Sequence, residues 1–257
     1  MSSDRQGSGP DAEVVWPGGY YEGDPLDPMT DSSYGTLGYM SALHAIYLTC
    51  IKPYVTPQTR AIEIGPGRRA WTRTMLPASE IVAIDAVPAD VNRFWEYVGR
   101  HEHVRYLVDG AFDDTELPDG HFDYLFSFGC LCHLPPGKVD EYLARLAPKL
   151  RAGANGLLMY ADYAKANATR ASWKRLTVAR ALRGRRALPA RVALRITGGD
   201  RPHYPVYRDD DDVPRPGRWY DLGQERMTEL LERHGYTVIT PDVGVLARDP
   251  IAHFTRR

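Results

Sequence analysis

The chain has 257 residues, 43% hydrophobic and 25% charged, the composition of an ordinary globular protein long enough for one sizeable core. Its 32 Lys and Arg nearly cancel 33 Asp and Glu, and the net charge of -1 argues against a whole-chain electrostatic grip on nucleic acid. Cys50, Cys130 and Cys132 form no CxxC pair, the longest apolar runs (such as Ala45–Leu48) fall far short of a bilayer span, and Met1–Pro10 is polar, so a soluble, cytoplasmic protein with reduced thiols and no structural zinc is expected.

Residues 1–33 are rich in Gly, Pro, Ser and Asp and read as an irregular arm. From Tyr34 to Tyr54, Leu37, Met40, Leu43, Tyr47 and Ile51 recur at helical spacing, predicting an amphipathic helix ended by Pro53. Strands and helices then alternate. Strands are predicted at Arg60–Ile64, Ile81–Ile84, Val104–Leu107, Phe122–Phe128 and Gly156–Tyr160. Helices are predicted at Ala70–Leu76, Asp90–Gly99 and Lys138–Leu150. Short, continuously apolar strands separated by helices imply an α/β fold: a mainly parallel sheet covered on both faces. The last helix, Gln224–His234, has Gly235 just past its end. Strands Tyr236–Ile239 and Ile251–Thr255 follow without room for a crossover helix, so they should pair antiparallel and complete a seven-stranded sheet. Between Asp162 and Trp219 lies an Arg/Pro/Gly-rich stretch that this core does not need. The domain expectation is one domain: an acidic arm over 1–36, a core over 37–162 and 219–257, and an insertion over 163–218.

The near-zero net charge is a cancellation between distant blocks. Residues 1–36 hold seven acidic side chains against Arg5 alone, whereas residues 163–208 hold twelve basic ones against Asp200 alone. Asp209–Asp212 follow at once. Such runs form solvated surface, or they border a site for a polar or charged ligand.

The first strand runs into Glu63-Ile64-Gly65-Pro66-Gly67-Arg68-Arg69-Ala70, which fits a G-x-G-x-x-G/A turn. Asp85 stands 20 positions after Gly65, at the end of the second strand, where an acidic residue accepts ribose hydroxyls. The spacing points to an adenosine-type cofactor and leaves two kinds open. A dinucleotide needs backbone N–H donors for its pyrophosphate. Pro66 has none, and a carboxylate at Glu63 repels phosphate while suiting a cofactor with an ammonium and a sulfonium.

At these residues the sequence resembles the class I S-adenosylmethionine-dependent methyltransferases. Ala61–Gly67 is similar to the family's E-x-G-x-G turn around the methionine part of the cofactor, and Val82–Asp85 to its second, ribose-binding motif. Val108–Phe112 is similar to the third. There the resemblance implies Asp109 on the adenine amino group, with Gly110 in the turn and Ala111 or Phe112 against the ring. Phe122–Leu134, including Phe128, and Leu146–Tyr160 resemble the fourth and fifth units. The resemblance covers roughly residues 60–162 and 222–257. It implies a Rossmann-like fold, S-adenosyl-L-methionine as cofactor with S-adenosyl-L-homocysteine as product, and methyl transfer as the reaction. Residues 163–218 depart from the pattern where family members vary most.

A hydroxyl acceptor needs a general base at the carboxyl edge of the sheet; an amine needs only to arrive unprotonated. His133, after the fourth strand, and Asp162, after the fifth, are the candidates. Tyr34, Tyr163, Trp219, Tyr220 and Asp221 are candidate acceptor contacts. Cys130 and Cys132 are expected to pack, and His101 and His103 lack a third metal ligand, so no metal is expected. The acidic blocks suit a cationic, polar small molecule, with a sugar or aminoglycoside of natural-product biosynthesis as the preferred acceptor. N-methylation is favoured over O-methylation by a small margin. An RNA methyltransferase gripping RNA through 163–208, or a non-catalytic cofactor binder, are the other readings. No membrane partner is expected, and the oligomeric state, a dimer among the options, stays open.

Overall fold

A computed structural model describes residues 24–28, 42–67, 70–108, 117–172 and 219–257. Within them a seven-stranded sheet runs in the order β3-β2-β1-β4-β5-β7-β6. Its strands are β1 (Arg60–Ile64), β2 (Glu80–Asp85), β3 (Val104–Val108), β4 (Phe122–Ser127), β5 (Leu150–Met159), β6 (Tyr236–Thr240) and β7 (Ile251–Arg256). The pairings among β1 to β5 are parallel, and β7 pairs antiparallel with both β5 and β6. The α/β sheet with its antiparallel C-terminal hairpin is therefore as the sequence implied.

Helices cover both faces because the strands are apolar on both. One core layer joins Ala61, Tyr124, Phe126 and Leu157 of the sheet to α1 (Ala42–Ile46), α2 (Thr72–Met75) and α3 (Phe94–Val98). The other joins Ile62, Leu125, Leu158 and Phe254 to Val139, Leu143 and Leu146 of α4 (Pro136–Leu146) and to Met227, Leu230 and Leu231 of α6 (Gln224–Arg233). Residues 163–172 form a further helix, α5.

Several elements differ from expectation in extent, each for a local reason. The first helix passes into a π-helical turn at Tyr47–Ile51, closed by Lys52 N–H on Tyr47 O at 2.9 Å, as Pro53 approaches with no N–H to give. Residues 34–41 lie outside the described residues. The helix expected at Asp90–Gly99 starts late, because Arg93 adopts a left-handed φ of 53°. The helix expected to reach Leu150 stops at Leu146 and tightens to a 3-10 turn at Ala147–Lys149, where Pro148 removes a donor. Strand β5 begins at Leu150 rather than Gly156; its first turn-like residues are exposed, and Gly153 has φ 78°, so no apolar pattern marked them.

The described part of the acidic arm lies on the helices. Asp24 pairs with Arg73 of α2 at 2.8 Å, and Pro25 O meets His44 Nδ1 of α1 at 2.8 Å.

Candidate active site

The strand order reverses between β1 and β4, and in an open α/β sheet ligands bind in the crevice at the carboxyl ends of the strands there. Ser127 Oγ donates to Ile64 O at 3.0 Å and ties the two strand ends together. Beyond β1 the chain turns at Gly65 with φ 69°, a conformation a β-carbon disfavours. That carbon would also lie 2.4 Å from Cys130 Cβ, so the loop after β4 closes onto the turn only because Gly65 has none.

The turn spends its amides inside the protein. Gly65 N–H donates to Ile84 O at 2.8 Å, Pro66 has no N–H, and Gly67 N–H donates to Asp85 Oδ2 at 2.9 Å. These three consecutive residues thus direct no amide at a phosphate. Asp85 is also held by Val87 N–H on Oδ1 at 2.9 Å. Burial pushes its carboxyl above the ordinary range, and these hydrogen bonds oppose the rise.

Glu63 is 1% exposed. Thr72 Oγ1 donates to its Oε2 at 2.5 Å, while Oε1 has no hydrogen-bond partner among the described residues. Burial, with the Asp85 charge adding, pushes the Glu63 carboxyl up to about 8. A half-satisfied, buried carboxyl is costly by itself, and a cationic group is what would complete it. These groups, as described, suit an ammonium-bearing adenosine cofactor. Phe128 is half-buried, its ring 4.9 Å from that of Trp71. Asp109, Gly110, Ala111 and Phe112 lie outside the described residues, as does Tyr34.

The acceptor candidates gather at the ends of β4 and β5. His133 closes a 3-10 turn, Leu131–His133, and its half-exposed imidazole meets the Trp219 ring at 6.2 Å. Arg248 lies over the same indole at 4.2 Å and pairs with buried Asp249 at 2.6 Å. Tyr220 N–H donates to Cys132 O at 2.9 Å. Tyr163 OH donates to Trp219 O at 2.6 Å, and Tyr163 N–H to Asp221 Oδ1 at 3.0 Å. Residues on either side of the 173–218 stretch are thereby fastened to one another beside His133. Asp162 is buried, and its Oδ1 caps α5 by accepting Lys165 N–H at 2.9 Å.

Sequence reasoning singled out neither Thr72 nor Arg248. Thr72 had a weak signal, a hydroxyl on the helix after the turn; Arg248 had none, since its partner Trp219 is 29 positions away. Burial pushes Cys50 up to about 12 and Cys132 well above its ordinary range, so both thiols pack rather than react. His101 and His103 each turn Nε2 to a main-chain carbonyl, of Val98 and Leu76.

Residues 61–153 match the family model of the methyltransferase domain. No curated protein matches the chain. Among solved structures, the pyocyanin biosynthetic protein PhzM is similar at 14% identity and a TM-score of 0.52, over 84% of this chain and 54% of that one. The mitomycin 7-O-methyltransferase MmcR is similar at 14% identity and a TM-score of 0.50, over the same shares of 84% and 54%. The magnesium protoporphyrin IX methyltransferase of Synechocystis PCC 6803, with bound SAH, aligns over 83% of this chain and 80% of its own at 11% identity and a TM-score of 0.46. At such identities the likenesses speak to the fold alone. The domain match over residues 61–153 is what points to methyl transfer, and S-adenosylmethionine is the cofactor expected of such a domain.

Proposed function

We propose that this chain methylates an amino or hydroxyl group of a polar small molecule, with a sugar or aminoglycoside as the acceptor class. The observation that carries the reading is the first turn: no amide left for a phosphate, beside a buried carboxyl with one unpartnered oxygen. S-adenosylmethionine, when bound, supplies an electrophilic methyl group on a sulfonium.

The chain's own residues do the rest. Glu63 takes the amino group of the cofactor, and Asp85 the ribose hydroxyls. Gly65 and Gly67 let the backbone approach, and Asp109, Gly110, Ala111, Phe112 and Phe128 serve the adenine side. His133 accepts the proton of an acceptor hydroxyl; for an amine it only orients the substrate. Asp162 is the second candidate for that proton, through the carboxylate whose Oδ1 also caps α5. Tyr163, Trp219, Tyr220 and Asp221, with Tyr34 from the arm, form the acceptor wall, and residues 163–218 set its selectivity. Orientation accounts for most of the rate, since a displacement at carbon needs the nucleophile in line with the leaving sulfur.

The reading is tested by calorimetry with S-adenosylhomocysteine, then a methyl-transfer assay over aminoglycosides and simple sugars. Binding with transfer to an aminosugar is expected. Binding with transfer only to RNA would replace the acceptor class; binding with no transfer to any acceptor would favour a non-catalytic binder.

A further inference from the structure

Behind Asp85, a chain of hydrogen bonds runs through Val87 and Tyr106 to Asn92. Val87 N–H donates to Asp85 Oδ1 at 2.9 Å. Val87 O accepts from Tyr106 OH at 2.6 Å. The Tyr106 oxygen accepts from Asn92 Nδ2 at 3.0 Å. The Asn92 side chain also favours the charged form of the Asp85 carboxyl.

That chain is braced from outside. Asn92 is 8% exposed, and its N–H donates to Pro88 O at 3.1 Å. Arg93, in the left-handed region at φ 53°, turns the chain so that Phe94 meets the Tyr106 ring edge-on at 4.8 Å. A non-glycine residue held at positive φ is costly and persists where the surroundings over-determine it. With Gly67 on Oδ2 and Val87 on Oδ1, the carboxylate is gripped from the glycine turn and from its own loop, and Tyr106 and Asn92 hold that loop from behind. Free rotation about its last bond is thereby removed before any ligand arrives.

We propose that Asn92 and Tyr106 are positioning residues that lock the Asp85 carboxylate in the orientation that receives the cofactor's ribose hydroxyls. The proposal rests on the reading of Asp85 as the ribose acceptor. Pre-set acceptors raise affinity because the ordering is done during folding and not on binding. Glu63 on β1 and Tyr106 on β3 are the titratable groups that face Asp85.

The test is calorimetry with S-adenosylhomocysteine on the full chain between pH 4.5 and 8, for the wild type, Asn92→Ala and Tyr106→Phe, with each repeated in a Glu63→Gln background. Carboxyl carbon NMR of Asp85 in the cofactor-free protein accompanies it. Asn92→Ala and Tyr106→Phe should each bind about threefold more weakly, the loss expected for one hydrogen bond between neutral groups. Both should move the acid limb of binding, and the Asp85 carbon resonance midpoint, to higher pH. Tyr106→Phe keeps the ring on Phe94, so it carries the test if Asn92→Ala does not fold. Unchanged affinity with an unmoved midpoint would overturn the proposal, even with a lowered melting temperature. Absence of binding by the wild type would overturn the ribose reading instead, a different result from equal binding by all forms.

Discussion

The two halves of the sheet's carboxyl edge are built by different means. On the β1–β2 side the contacts are close in sequence: Glu63 and Thr72 are 9 positions apart, Asp85 and Gly67 are 18 apart, and Asp85 and Val87 are 2 apart. On the β4–β5 side they are remote: Tyr163 reaches Trp219 and Asp221 across 56 and 58 positions. The first half is a pair of carboxylates held by donors close in sequence, the Thr72 hydroxyl on Glu63 and backbone N–H groups on Asp85. The second is an aromatic wall held by side chains from distant elements. A local motif can specify the first; only the completed fold produces the second.

The sharpest way to break the contrast is Asp85→Ala. It removes the ribose acceptor and frees Gly67 N–H, and should weaken S-adenosylhomocysteine binding about a hundredfold in calorimetry, as loss of two hydrogen bonds to a charged group implies. Unchanged affinity would overturn the ribose assignment. Gly65→Ala comes next. Its new carbon would overlap Cys130 and force a left-handed residue, costing about 1–3 kcal/mol in denaturant unfolding. Cofactor affinity should fall with it, since the turn itself must shift.

Glu63→Gln sharpens the comparison through pH. The folded carboxyl titrates near 8, above the ordinary 4.5 of the unfolded chain. Between these values the folded form keeps a proton that the unfolded form has lost, so wild-type stability falls as pH rises from about 5 to 8. Thermal melts should show that slope in the wild type and a flatter one in Glu63→Gln. A slope that survives the substitution would mean another group carries it. On the other half, Tyr163→Phe should cost about 1 kcal/mol of stability for its hydrogen bond to Trp219. It should raise the acceptor KM severalfold and leave S-adenosylhomocysteine affinity unchanged. A fall in cofactor affinity would show that the two halves are coupled.

The same division decided what the sequence could reveal. All seven strands and the antiparallel close were legible, because apolar runs and turn residues are local signals. That Glu63, Gly65, Gly67 and Asp85 meet at one strand edge was legible because a motif and its spacing mark them. That Pro66 and its two neighbours leave no amide free was half legible: the missing N–H is in the sequence, but the partners Ile84 O and Asp85 Oδ2 need the register of β1 against β2. Arg248 on the Trp219 ring was not legible, since an Arg-Asp pair in a connection looks like any solvated charge. Thr72 and Asn92 were missed because a hydroxyl or an amide acquires a role only when the element carrying it folds back on a carboxylate. The helix at Asp90–Gly99 was overextended because periodicity does not report a residue held at positive φ.

Strand β7 lies between β5 and β6, although it is made after both. Among the described residues, β6 pairs with β7 alone. The outer edge of β5 is thus covered by the last strand in chain order, and an uncovered strand edge is a seed of misassociation until that strand is in place.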